Sequence, residues 1–352
     1  MAKIKILLFF LSALFLAAAL FVFFGSGSEK LERVRGVEIA SVGFDSAVLD
    51  AVLSEDAVFV ALENSKVFKY STEGALLANI DLKSEMLTSK ITLLEDMLIV
   101  ANIDGEVFAL SKDLKNILWK KTFGDKICGR FFKSGDSLVF GSYDQYLRVI
   151  NCKSGEEIFK LETSDAINAD PAVYKNFALV GNCAGELFCA DLNAKREIWK
   201  AAFGSHIPLS PVSDSGLAVV ADYSGALAAF NFKDGKKLWE RADFKVSPSV
   251  QIVSDGLGNL FFLSQSGELC KVSASSAKPL LKESFGSARG CLKLRDGELM
   301  LALDSGLIYI LNKSDFSEVF KFNAVAPVSI CDFNGRVLVF VDLSDTMQII
   351  RR

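Results

Sequence analysis

Apolar and polar positions along this chain recur in one short template, about every 40 residues from Ser65 to the C-terminus. Each copy is anchored on a tight turn, at Ser65, Gly105, Gln145, Gly185, Gly225, Gly267, Gly306 and Thr346. Five residues before the turn stand Val60, Val100, Phe140, Val180, Val220, Phe262, Leu301 and Val341. Seven before stand Val58, Leu98, Leu138, Ala178, Ala218, Leu260, Leu299 and Val339. Two apolar columns two residues apart share one face of a strand. Two residues after the turn the apolar column continues through Val67, Val107, Leu147, Leu187, Leu227, Leu269 and Ile308, with Gln348 the exception. That is a second strand, entered through pairs such as Asp104-Gly105 and Ser266-Gly267 that suit a hairpin.

Fourteen residues after the turn come Trp119, Phe159, Trp199, Trp239, Leu281 and Phe320, with Asn79 breaking the column in the first copy. This predicts a third strand, and the variable segment before each pair supplies a fourth. A helical repeat fits poorly, because the apolar runs are short, β-branched and aromatic residues are frequent, and turn residues punctuate closely. Four strands per 40 residues is the arithmetic of a propeller blade, and self-similarity at that period marks such a ring. The predicted fold is all-β: an eight-bladed β-propeller of four-stranded blades.

The eighth copy lacks its outer strand, because the chain stops at Arg352. Counting back 40 residues from Asn79 lands on Ile39, inside the stretch Val34–Val42. This N-terminal segment is expected to close the last blade, since an open blade leaves an unpaired edge and a bare apolar face.

Ahead of the repeats, Ile6 to Phe24 form an uncharged run in which Ser12 is the one polar residue. At 1.5 Å per residue such a run spans about 29 Å, close to the hydrocarbon thickness of a bilayer. It reads as an N-terminal transmembrane helix, a signal anchor over residues 1–28, with the ring occupying 29–352. Cleavage as a signal peptide near Gly25-Ser26-Gly27 is the alternative. Lys3 and Lys5 precede the run, and Lys30, Arg33 and Arg35 follow it, so counting cations does not orient the span. A short N-terminus before a large domain favours export, which places the ring in the periplasm, anchored at the inner membrane or released after cleavage. No cysteine precedes Cys128, so no lipid-bearing N-terminal cysteine is expected.

The seven cysteines, Cys128, Cys152, Cys183, Cys189, Cys270, Cys291 and Cys331, lie mostly inside strand patterns without CxxC spacing. They are expected to act as small apolar residues, forming neither a disulfide framework nor a zinc site. With 39 basic against 43 acidic residues and no basic stripe, nucleic-acid binding is not expected. His206 is the single histidine, and a loop or strand-edge role suffices for it. No GxGxxG, P-loop or HExxH occurs. Asp104, Asp144 and Asp345 are expected to bond local backbone at the turns. No catalytic, cofactor-binding or metal-binding residue is assigned, and no cofactor is expected.

Residues Ala229 to Trp239, AFNFKDGKKLW, resemble the "alD-x-x-tGk-x-lW" end of a PQQ-like repeat, as do Val149 to Phe159 with Phe for Trp. A third copy runs from Ala190-Asp191-Leu192 to Ile198-Trp199 without the glycine. The resemblance implies that the Trp ends an outer strand and docks between blades. One branch of that superfamily, the quinoprotein dehydrogenases, carries an adjacent Cys-Cys pair that is absent here. The chain is similar to the other branch, the BamB family, whose members are non-catalytic. That resemblance implies a scaffold for protein–protein interaction in outer-membrane β-barrel assembly. Its partners would be other envelope proteins, the outer-membrane β-barrel insertase complex among them. The alternatives are an enzyme or redox protein holding a cofactor in the channel, and an anchored partner of an inner-membrane complex.

Overall fold

In the computed structural model the repeat folds into eight antiparallel sheets arranged as a closed ring. The structure describes residues 30–34, 37–324 and 326–352. Blades 1 to 7 cover residues 48–81, 92–122, 132–162, 172–202, 212–241, 253–284 and 290–323, each a four-stranded meander. Blade 8 combines residues 328–351 with an N-terminal strand. Among the described residues there is no helix. The expected span at residues 6–24 lies outside them.

The residues five and seven before each turn are almost wholly inaccessible to solvent in all eight blades. Eight apolar clusters result, one filling each interface between neighbouring blades. The second strand of each blade therefore buries both faces, which explains why these runs read as continuously apolar. The turn residues Ser65, Gly105, Gln145, Gly185, Gly225, Gly267 and Gly306 all have positive φ. Their carbonyls accept an amide from the end of the same blade's outer strand, as in Phe123 N to Gly105 O (2.8 Å) and Phe203 N to Gly185 O (2.8 Å).

Blade 8 corrects the sequence register by one residue. Its left-handed turn residue is Asp345 (φ 56°), and Thr346 already belongs to the strand Thr346–Arg351. Two residues after Asp345 stands Met347, which is fully buried, so the apolar column is unbroken and Gln348 is no exception. The ring closes as expected: Val37–Gly43 pairs antiparallel with Thr346–Arg351. Phe44 N donates to Asp345 O (3.1 Å), the same bond that ends the outer strands of the other blades. Ala40, rather than Ile39, occupies the tryptophan column, because it pairs with Ile349 as Trp199 pairs with Cys189. A fifth strand, Lys30–Val34, lies outside Val37–Gly43.

The tryptophans dock as the repeat implies. Trp119, Trp199 and Trp239 donate their indole N–H to Cys152 O (3.0 Å), Phe232 O (2.8 Å) and Ala274 O (2.9 Å) of the following blade. The motif glycine completes the contact. A Cβ on Gly235 (φ 70°) would fall 2.5 Å from Trp199 Cδ2, and one on Gly155 would fall 2.7 Å from Trp119 Cε3. A methyl group there would meet the ring and also occupy a left-handed backbone.

Two expectations about polar residues change. Asp144 accepts from Tyr146 N as expected (3.4 Å), but among the described residues Asp104 accepts no local amide, and the acceptors that recur across blades lie elsewhere. They stand three residues before the turn and are buried: Asn102 Oδ1 accepts from Glu106 N (2.9 Å), Asn182 Oδ1 from Glu186 N (2.8 Å) and Asp222 Oδ1 from Ala226 N (3.0 Å). Asp345 Oδ1 reaches instead to Val48 N of blade 1 (2.8 Å). The second change concerns the cysteines. Cys291 and Cys331 form a disulfide between the inner strands of blades 7 and 8, with Cα atoms 6.0 Å apart. They are 40 residues apart, one repeat, so each stands at nearly the same place on its blade. The other five cysteines are free. Burial pushes the Cys189 thiol up to about 12 and the Cys270 thiol up to about 11, as small apolar core residues require. Thiol titration of the denatured, unreduced chain should therefore find five reactive groups, and seven after reduction. Seven before reduction would remove the bridge.

Candidate functional site

Two regions bring functional groups together: the bore of the ring and the rim around one of its mouths. The bore is walled by the first strand of each blade. At one level its side chains tie neighbouring inner strands together. Arg130 N donates to Asp170 Oδ1 (2.8 Å), Asp170 N to Ser210 Oγ (3.0 Å) and Ser210 N to Gln251 Oε1 (3.1 Å). Ile91 N donates to Asp50 Oδ2 (3.0 Å), and Leu53 N to Asp332 Oδ2 (2.9 Å). Amides of inner strands, which no further strand can pair, are thus satisfied by the next blade.

Arg130 reaches across the bore. Its guanidinium spans from blade 3 to Asp50 of blade 1 (2.7 Å) and to Ile91 O of blade 2 (3.1 Å). Burial works against its charge, but Asp50, Asp170 and Asp332 together hold its affinity for a proton above the ordinary value. Lys293, on the inner strand of blade 7, lines the same two cavities as Arg130, of about 570 and 210 Å³. Burial and then Arg130 push the Lys293 amine below its ordinary value, partly offset by Asp332 and Asp50.

The rim is built from two loops of each blade, the one that enters the blade and the one that joins its two middle strands. A repeated hydrogen bond couples them. Ile103 N donates to Met86 O, Tyr143 N to Lys126 O, Cys183 N to Ala166 O and Tyr223 N to His206 O, each at 2.9 Å. Gln265, Asp304 and Leu343 make the same bond in blades 6, 7 and 8. The rim is apolar and aromatic over blades 2 to 5 and polar over blades 6 and 7. Met86, Ile103 and Tyr223 are exposed, Tyr223 by 62%. Exposed apolar groups on coupled loops suit a contact surface better than a catalytic one.

His206 belongs to this rim. Its Nε2 lies 3.3 Å from Asn168 Nδ2, and its ring stacks on Tyr223 with an interplanar angle of 8°. Among the described residues, no carboxylate or hydroxyl hydrogen-bonds the ring, so nothing there orients it as a base for a nucleophile. Nearby, burial raises the Cys128 and Cys183 thiols, and burial with Cys128 beside it raises the Tyr143 phenol, so all three stay protonated at neutral pH. The Lys126 ammonium sits over the Tyr143 ring at 5.2 Å. Among the described residues, no three His, Cys, Asp or Glu side chains are placed to hold a metal ion. Sequence reasoning assigned no site. The rim's signal was present in the column two before the turn, Ile103, Tyr143, Cys183 and Tyr223, which exposes what the core columns bury.

A family model described as outer membrane protein assembly factor BamB matches residues 143–325. The outer membrane protein assembly factor BamB of Nitrosomonas eutropha is 25% identical over 126 residues, covering 35% of this chain and 31% of that protein. The one of Burkholderia pseudomallei is 24% identical over 105 residues, covering 30% and 27%. The chain thus matches about a third of the length of these curated relatives. Among solved structures, BamB from Moraxella catarrhalis superposes with a TM-score of 0.70 at 15% identity, covering 92% of this chain and 100% of that one. The computationally designed Ika8 protein superposes at 0.80 with 14% identity, covering 88% and 98%. At these identities the structural likeness shows the fold.

Proposed function

Because the chain belongs to the family of the outer membrane protein assembly factor BamB, we propose that it is a non-catalytic scaffold in outer-membrane β-barrel assembly, docking envelope partners on the rim of blades 2 to 5. The observation that carries this reading is the crescent of Met86, Ile103, Tyr143 and Tyr223 on loops held by backbone bonds to one another. A preformed aromatic surface loses little entropy when a partner docks on it, and such residues dominate interface energies. The ring would face the periplasm, tethered by residues 6–24 or released by cleavage after them. The Cys291–Cys331 bridge supports an oxidising compartment.

Site-specific photocrosslinking in membranes tests the reading. A crosslinker at Tyr223 or Ile103 should capture the β-barrel insertase or its accessory proteins. The same group at Leu257, which is 78% exposed on a hairpin at the opposite face, should not. Capture at Leu257 alone would move the docking surface away from the rim. Absence of insertase components at every position would end the assembly reading.

A further inference from the structure

The bore holds charged groups that scaffolding does not need. Among the described residues Lys293 Nζ has no hydrogen-bond or ion-pair partner, although Lys293 lines two cavities inside the ring. The charged neighbours contributed by the other blades are Lys90, Arg130, Asp50, Asp170 and Asp332, and Arg295 stands two residues along its own strand. The larger cavity itself is lined by two cations, Lys293 and Arg130, and one carboxylate, Asp170. The three carboxylates are already committed: each accepts a backbone amide of a neighbouring blade, and Asp50 also holds Arg130. Arg130 is paired with Asp50, so the cation lining this cavity without an ion-pair partner among the described residues is Lys293.

The larger cavity adds an apolar wall beside this charge. Phe132 leaves 42% of its surface exposed although it lies on an inner strand, and Val173, Val212 and Val253 beside it are only half-buried. A cavity of about 570 Å³ is within the range of small-molecule sites, which combine apolar walls with a few convergent polar groups. A single surplus charge favours a monoanion. An unfilled aromatic wall favours an organic anion over a fully hydrated inorganic one.

We propose that the bore is a binding site for a small organic carboxylate, its head held between Lys293 and Arg130 and its apolar body laid against Phe132, Val173, Val212 and Val253. Arg130 is pre-oriented by Asp50 and Ile91 O, so it can offer its remaining N–H groups without rearranging. The bound anion would also supply the half-buried Lys293 ammonium with a counter-charge. The proposal stands apart from rim docking, because none of its residues lies on the rim.

Isothermal titration of the full chain with benzoate tests it, with benzamide and sulfate as comparisons. Benzoate is expected to bind with one site per chain. Lys293→Met should weaken it at least tenfold, and Phe132→Ala should weaken it several-fold. Lys293→Met removes a half-buried charge that has no direct partner among the described residues, so its thermal midpoint should equal or exceed that of the parent, separating lost binding from lost folding. Absence of benzoate binding, or binding unchanged in Lys293→Met, would overturn the site. Benzamide binding equally well would show that charge plays no part and would overturn it too. Sulfate binding as tightly as benzoate, with Phe132→Ala without effect, would reject an organic ligand.

Discussion

Deleting residues 37–43 from the full chain should open the ring and remove on the order of 5 kcal/mol or more of stability. The segment is a small part of the chain, but its place is singular. Ala40 and Val42 belong to the cluster between blades 8 and 1, and Ile39 to the cluster between blades 7 and 8. Burying side chains of the size of Ile39 and Val42 contributes about 1.5–3 kcal/mol each. The six paired positions from Glu38 to Gly43 against Thr346–Arg351 add ladder bonds worth about 1 kcal/mol each. The deletion also exposes Thr346–Arg351 as an unpaired edge, which invites aggregation. Arg351, which pairs with Glu38 and with Glu73 of blade 1 (2.7 Å), would lose one of these partners. Thermal unfolding of the deleted and parent chains measures the effect. The disulfide between blades 7 and 8 stays in both, so the comparison isolates the strand. An unchanged midpoint would mean that the ring does not depend on this closure.

Trp199→Ala should cost about 3–5 kcal/mol, the range for truncating a large buried aromatic. Trp199 is the most buried of the three tryptophans at 8% exposure. Its ring stacks on Phe230 with centroids 6.3 Å apart and lies against the Cα of Gly235. Truncation leaves a cavity between blades 4 and 5, and it leaves Phe232 O without its indole donor. Neither blade can collapse onto the other, because both are fixed by their next neighbours around the ring. Trp119 and Trp239 are half-buried, and the same change at either should cost less. Leu118→Ala, on an outer strand and 49% exposed, should stay within about 0.5 kcal/mol of the parent. Denaturant unfolding of the four variants gives the order directly. A Trp199→Ala loss no larger than that of Leu118→Ala would show that the docking contact carries little energy.

Much of this architecture is legible from Val60, Val100, Phe140 and their counterparts, because a column that must be buried in every blade tolerates only apolar residues. The tryptophan column is legible for a related reason: a ring pressed on a glycine with positive φ constrains both residue types, as at Trp199 and Gly235. The one-residue error in blade 8 has a physical cause. Asp345 and Thr346 are both acceptable near a turn, and either choice places apolar residues in the columns before it. The left-handed backbone of Asp345, the burial of Met347 and the pairing of Ala40 with Ile349 separate them. The recurrent hairpin acceptors are not legible from residue type, because Asp, Asn and Ser serve anywhere near a turn, as Asp144 does beside its own. Burial, not type, distinguishes Asn102 and Asp222.

By itself, the sequence determined the repeat, the number of blades, the sign of each apolar column and the need for a closing strand, because these follow from local periodicity and from the cost of an unpaired edge. The tertiary structure decided everything that depends on residues one or more repeats apart meeting in space. Cys291 and Cys331 become bonded because neighbouring inner strands bring equivalent positions together. Arg130 reaches Asp50 two blades away because the ring is narrow at its centre. The rim acquires a chemical character only when Ile103, Tyr143 and Tyr223 are arrayed on one face. The Cys291–Cys331 and Arg130–Asp50 contacts occur at single blades and impose no pattern on the others.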